Sequence, residues 1–140
     1  MDKIDSFRDD YFFLSNFYEA PVTYDGITYR SNEAAFQAQK TLDRAARARF
    51  AEMDPATAKK AGRRVSLRPD WEDVKVGVMR EIVRAKFTQN DDLKAALRAT
   101  GDAPLEEGNT WGDRTWGTVN GKGRNLLGQI LMDIRQELSK

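Results

Sequence analysis

One dipeptide, Asp25-Gly26, decides where this chain can build sheet. It stands between Val22-Thr-Tyr24 and Ile27-Thr-Tyr29, two runs rich in β-branched and aromatic residues. A two-residue type I′ turn needs positive φ at both central positions, which Asp and Gly tolerate, so 22–29 reads as an antiparallel hairpin. It is the strongest hairpin signal in the chain, and most of the sequence beyond it reads as helix. Ser31 is placed to cap a helix running to about Leu42, and the Ala- and Arg-rich stretch from Asp43 to Met53 continues in helical character. Asp54-Pro55, with Asp as cap and Pro at the first helical position, starts a short helix that stops at Gly62. Asp70 caps a long helix from Trp71 to about Gln89, and Asn90 restarts a short one to Ala99. Residues 102–123 hold five glycines and two tryptophans without helical period and read as loop, with room for a short strand. Leu127, Ile130, Leu131, Ile134 and Leu138 then give a final amphipathic helix over 126–138. The expectation is an α+β fold: one mostly helical domain, residues 1–140, around a small antiparallel hairpin.

Composition limits the chemistry. There is no His and no Cys, so catalysis falls to carboxylates, lysines or backbone amides, and neither a zinc site nor thiolate chemistry is expected. Basic and acidic residues nearly cancel, 23 against 22, so the surface as a whole does not advertise duplex DNA, although local contact with an anion stays open. The apolar runs are too short to cross a membrane, and Met1-Asp-Lys-Ile-Asp5 lacks a signal-peptide layout, so a cytoplasmic protein without membrane partner is expected.

Several residues fit a core or a solvated face poorly. Glu33, Gln37 and Lys40 follow at i, i+4 and i+7 on one face of the first helix, opposite Ala34, Ala35 and Ala38. Acid, amide and amine in line beside Phe36 suit the lining of a polar pocket; the alternative is a solvated face. On the long helix, Trp71, Val74, Val78, Ile82 and Ala85 form an apolar stripe, widened by Met79 and Val83, and Lys86 and Gln89 fall on it. A lysine there is either snorkelling or a cation at a pocket floor. Gly121-Lys-Gly-Arg-Asn125 leads into the last helix with Asn125 as its cap. Glycines at a helix N-terminus can admit an anion, while the plain alternative is an ordinary loop. Trp111 and Trp116 in the irregular Gly-rich stretch suit a stacking wall for a base, or a cap on the core.

Taken together these residues resemble the NADAR family, named for its association with NAD and ADP-ribose. The resemblance runs from Phe13 to Arg135. It rests on Phe13-Leu-Ser-Asn-Phe-Tyr18, Glu33-x-x-Phe-Gln-Ala-x-Lys40, Trp71, Lys86-Phe87, Trp111-Gly-Asp113, Gly121-x-Gly-x-Asn125, Leu127-Gly128, Met132 and Arg135. It implies an α+β, mostly helical domain and an N-glycosidase acting on ribosides without a cofactor. Known branches act on riboflavin biosynthesis intermediates or remove ADP-ribose from guanine bases. Carried over, the resemblance implies Glu33, Lys40 and Asp113 as catalytic groups. It implies Ser15, Asn16, Phe17, Gln37, Trp71, Lys86, Trp111, Gly112, Trp116, Gly121, Gly123 and Asn125 around the substrate. Ala34 stands where the riboflavin-type enzyme carries His, and Arg114-Thr-Trp-Gly-Thr-Val-Asn120 reads more like the guanine branch. The expected partner is therefore an ADP-ribosylated guanine nucleotide or nucleic acid, with a phosphoribosyl small molecule as the alternative. A non-catalytic ADP-ribose binding module is the rival from another class. Such a module would keep the tryptophans and glycines but would not need Glu33 or Lys40.

Overall fold

The structure, a computed structural model, describes residues 2–140. Its contacts gather the chain into two compact units, Asn16–Asn90 and the residues up to Ser15 together with Asp91–Lys140.

In the first of these units, strands β1 (Glu19–Tyr24) and β2 (Ile27–Ser31) pair antiparallel, with Tyr24 opposite Ile27 and Val22 opposite Tyr29. Asp25 and Gly26 both take positive φ, 50° and 82°, as the I′ turn requires. The hairpin buries alternate residues, Ala20 and Val22 on β1 and Tyr29 and Ser31 on β2, which is the period-2 pattern of a sheet with one covered face.

Ser31 ends β2 and caps helix α1 (Asn32–Ala38), its Oγ accepting from the Ala34 amide at 3.1 Å. The Asn16 carbonyl takes the Glu33 amide at 3.0 Å, so a second orphan donor of that helix end is satisfied. The helix stops sooner than the sequence suggests. Beyond Ala38 the chain tightens, with the amides of Gln39 and Lys40 bonding to Phe36 and Gln37, three residues back, so 39–41 form a turn. The Arg47 guanidinium, donating to the Thr41 carbonyl at 2.8 Å, holds that turn.

The Ala- and Arg-rich stretch forms α2 (Arg44–Arg49), capped by Asp43, and a short 3-10 turn, Phe50–Glu52. Helix α3 (Pro55–Ala61) has the expected Asp54 cap and Gly62 end. Helix α4 (Trp71–Gln89) has the expected bounds, but the Asp70 carboxylate binds Arg68 instead of capping it. Its buried face is Trp71, Met79, Ile82, Val83, Lys86 and Phe87; Val74, Val78 and Ala85 lie at its margin and Gln89 is exposed. Gln89 instead bonds both backbone groups of Thr23, at 2.8 and 2.9 Å. The stripe is rotated because the larger side chains Met79 and Phe87 take the covered positions that the alanine and valines leave.

In the second unit, α5 (Asp91–Ala99) packs against α6 (Leu126–Leu138). Buried Arg135 donates to Thr100 Oγ1 at 3.0 Å and to the Ala103 carbonyl at 2.8 Å. Residues 102–123 are irregular, with isolated bridges Ile4–Leu105, Gly108–Thr118 and Val119–Lys122 in place of a strand. Among the described residues, no helix is long and apolar enough to cross a membrane.

Candidate active site

Helix α1 carries the densest polar chemistry, and it is buried all round. Ala34, Ala35 and Ala38 are fully covered, which the small side chains permit, and Asn32, Glu33 and Gln37 on the polar side are buried. A charged group is seldom buried without a partner. Here the Gln37 amide donates to Glu33 Oε2 at 2.8 Å. Phe36 packs on Trp71, ring centroids 5.0 Å apart, so Trp71 is a covered wall in this unit.

Lys40 follows in the turn, half-buried. Loss of solvent is the largest influence on its amine and pushes its pKa below the ordinary lysine value, while Glu33 pulls the other way. Arg63 and Lys75 add to the lowering. Helix α1 and the turn after it therefore bring together three of the expected residues: a carboxylate, the amide that fixes it and an amine biased toward its neutral, nucleophilic form.

Asn16 lies beside this line. Its Oδ1 accepts from Asn32 at 3.4 Å and its amide reaches Met79 Sδ at 3.6 Å. Phe17 lies under the Lys59 ammonium, 5.7 Å from the ring centroid. Lys86 does not snorkel. It is 1 % exposed, with Nζ 5.5 Å from the Tyr18 ring centroid and 5.0 Å from that of Phe87, and burial lowers its pKa to about 7. Asn32 and Gly62, which adjoin this line, escaped the sequence reading as site residues. Asn32 Oδ1 and Gln37 Oε1 are buried acceptors that find no hydrogen-bond donor among the described residues. Gly62 faces Gln37 so closely that a Cβ there would overlap Gln37 Oε1 and stand 2.8 Å from its Cδ. Nothing in the local sequence signals that contact, because Gly62 reads as an ordinary helix end.

The other unit holds the Gly-rich loop. Trp111 is 58 % exposed and Trp116 half-buried. Asp113 has work inside the loop: its Oδ1 accepts from the amides of Thr115 and Trp116 at 3.0 and 2.9 Å, an Asx-type turn. Gly112 takes φ 87° and Gly121 φ 78°, each with open space where a Cβ would stand, so backbone approach by a ligand is sterically free there. Gly123 differs. A Cβ on it would overlap the Gly117 carbonyl oxygen and stand 2.9 Å from that of Arg114, so this glycine closes the loop on itself. Asn125 sits at the end of α6 with φ 51° but does not cap it. Its side chain bridges the Glu107 amide and the Leu105 carbonyl, at 2.9 and 3.0 Å. The amides of Asn125, Leu126 and Leu127 are bonded to the carbonyls of Gly117, Thr115 and Trp116, so three of the four helix-end donors expected to be free are taken up by the loop. Ser15 ends the 3-10 turn Asp9–Leu14 of this unit, its amide bonded to the Phe12 carbonyl at 2.9 Å.

Among the described residues no group of three or more His, Cys, Asp or Glu could hold a metal ion. The polar chemistry of α1 and the turn after it is that of carboxylate, amide and amine.

Comparison with known proteins gives this geometry a context. The chain is 45% identical over 138 residues to N-glycosidase YbiA of Shigella boydii, covering 96% of this chain and 86% of that one. It is 43% identical over 132 residues to the riboflavin biosynthesis protein VVA0006 of Vibrio vulnificus, 91% of this chain but 36% of that longer protein. The NMR structure of the Escherichia coli protein YbiA superposes with a TM-score of 0.84 at 42% identity, over 98% of this chain and 83% of that one. The fold is thus the expected α+β one, and the chain is an enzyme of the N-glycosyl hydrolase class. The NADAR domain profile matches residues 4–139, and the chain belongs to the NADAR domain family.

Proposed function

We propose that this enzyme hydrolyses the bond between ribose C1′ and nitrogen in a phosphorylated riboside, with ADP-ribosylated guanine as its substrate and α1 as its catalytic element. The observation that carries the reading is the buried line of Glu33 and Gln37 leading to Lys40, whose amine is held partly out of water. A binding module has no use for a desolvated lysine beside a fixed carboxylate. A glycosidase has, because it must stabilise positive charge at C1′ and help an amine to leave.

The lysine offers a covalent route. A glycosylamine can open its ring to an imine, the N–H proton passing to the ring oxygen. Neutral Lys40 then adds to C1′, and Glu33 carries a proton from the attacking nitrogen to the leaving one. Departure of the base amine leaves a Schiff base between C1′ and Lys40, which water hydrolyses, and the freed aldehyde recloses to ribose. Net consumption is one water. Burial of Lys40 favours the neutral amine that the first addition requires. In the other unit, taken by itself, the exposed ring of Trp111 suits stacking on a base, and Gly112 and Gly121 leave their backbone sterically free. Asp113 is proposed to contribute through the loop it orders.

A second substrate reading has a specific observation in its favour, the riboflavin biosynthesis name carried by the Vibrio relative. On that reading a ribosylaminopyrimidine phosphate replaces the guanine adduct at the same site. Ala34, in place of the His expected of riboflavin-type enzymes, and the sequence of loop 114–120 favour guanine. Incubation with each substrate, with the released base and sugar quantified by chromatography, decides between them. Faster release of guanine supports the first reading, and release from the pyrimidine alone overturns it in favour of the second.

A further inference from the structure

The chain's near-neutral balance hides a strong segregation of charge. Residues 41–68 carry eight basic side chains against three acidic ones, leaving fifteen basic against nineteen acidic for the rest. Some of the eight are spent on structure: Arg44 and Arg47 bind Asp25, and Arg68 binds Asp70. Three others, Arg49, Lys60 and Arg64, line one cleft of about 600 Å³ between α2 and α3. All three are exposed, and among the described residues none has a carboxylate partner. Asp43, at the α2 end, is the acidic residue of the lining, and its Oδ1 is occupied by the Ala45 amide. Phe50 and Met53 add apolar surface to the lining.

Uncompensated cations converging on one cleft repel one another, and an anionic ligand relieves that repulsion. The kind of anion follows from how the cations are presented. A small-molecule pocket sets a few polar groups rigidly in an enclosed, mostly apolar cavity. Here the charges stand on long exposed side chains around an aromatic and thioether surface. That is the layout of a track that neutralises a phosphate backbone without reading its sequence.

We propose that the cleft between α2 and α3 binds a chain of phosphates, as a single polynucleotide strand presents it. Thr41 of the lining follows Lys40 directly, and Arg63, next to Arg64, is near enough to influence the Lys40 amine. A strand held here therefore lies beside the α1 chemistry. The inference rests on the guanine reading of the substrate and extends it: the guanine would be presented on a strand.

The test separates the two. Binding of an unmodified fluorescent single-stranded DNA is measured by anisotropy between 50 and 200 mM salt. Three phosphate contacts predict a log–log slope of about −2, or roughly 20-fold weaker binding across that range. Charge reversal by R49E, K60E and R64E together should weaken binding at 50 mM salt at least ~10-fold and flatten the slope. The neutral triple R49A, K60A, R64A should act in the same direction. Reversal of Arg8, Arg98 and Lys140, which removes the same net charge elsewhere, should have little effect. Turnover of a free ADP-ribosylated guanine nucleotide should be unchanged in the cleft variants, while turnover of the modified oligonucleotide falls. Equal DNA binding by wild type and both cleft variants overturns the proposal. So does displacement of the DNA by inorganic phosphate or a mononucleotide at matched phosphate concentration, which would make the cleft a small-anion pocket. Failure of wild type to cleave either guanine substrate counts against the guanine reading alone, because the DNA binding is read without turnover.

Discussion

Replacing Lys86 with Met should make the protein more stable, and the gain should depend on pH in a direction fixed in advance. Lys86 is 1 % exposed, and burial lowers its pKa from the ordinary 10.5 to about 7. Between those two values the unfolded chain holds one more proton than the folded one, so wild-type stability rises with pH across that window. Above about 10.5 the amine is neutral in both states and the penalty disappears. Below about 7 it is present in full, on the order of 5 kcal/mol for a shift of this size. The faces of Tyr18 and Phe87, 5.5 and 5.0 Å from Nζ, offset about 1–2 kcal/mol of it. Met has similar length and no charge, so the variant should gain a few kcal/mol at pH 6.5. That gain should shrink by up to about 1.4 kcal/mol per pH unit toward pH 10. The absence of His and Cys keeps this window free of their titrations, and Lys40 titrates in both proteins and cancels in the difference. Urea unfolding of both proteins at pH 6.5, 8 and 9.5 supplies the comparison. A variant less stable at every pH, or a difference that does not change with pH, would show that the buried Lys86 amine does not cost stability in this way. Turnover measured alongside shows why the lysine is kept: a stabilised variant with lost activity marks Lys86 as functional, as the sequence suggested.

Three other perturbations bear on α1. Glu33→Gln should lower turnover by about 10²-fold or more with the fold retained, since a single electrostatic group at a reacting centre contributes on that scale; steady-state kinetics beside a melting curve check it. Gly62→Ala should force the Gln37 amide from its place on Glu33, lowering kcat by about 10-fold, the scale of one lost hydrogen bond to a charge. Adding Gln37→Ala to it should cost little more, whereas full additivity in that cycle would show that Gly62 acts elsewhere. Arg63→Ala removes a cation that lowers the Lys40 pKa, so the rising limb of the kcat–pH profile should move to higher pH. A limb that stays in place would separate the lysine from the observed titration.

Local rules read the elements well because most of them are closed by local chemistry. Asp25-Gly26 turns the hairpin, Ser31 and Asp54 cap their helices by side-chain bonds to the third residue on, and Gly62 ends α3 where expected. The line of Glu33, Gln37 and Lys40 was also visible as a spacing. What escaped depends on contacts far apart in sequence. Lys40 lies in a turn that Arg47 holds through the Thr41 carbonyl, and the neighbours tuning it, Arg63 and Lys75, come from later segments. Asn125 looked like a cap, but the backbone of Glu107 and Leu105 claims its side chain. Gly123 looked like a gap for a ligand, while carbonyls of its own loop fill that space. The cationic cleft was invisible in a net charge of +1, because the compensating acids lie outside residues 41–68.

In the proposed mechanism Lys40, beside Glu33, attacks C1′ of the riboside. A glycosidase working through carboxylates alone passes through an oxocarbenium-like state and leaves borohydride nothing to reduce. A lysine working on the opened sugar leaves a Schiff base that hydride converts to a stable amine. Borohydride added during turnover of ADP-ribosylated guanine, followed by peptide mass spectrometry, should therefore find a ribose-containing adduct on the Lys40 peptide, absent in Lys40→Ala. An adduct on Lys86, or clear turnover with no adduct, would contradict the claim.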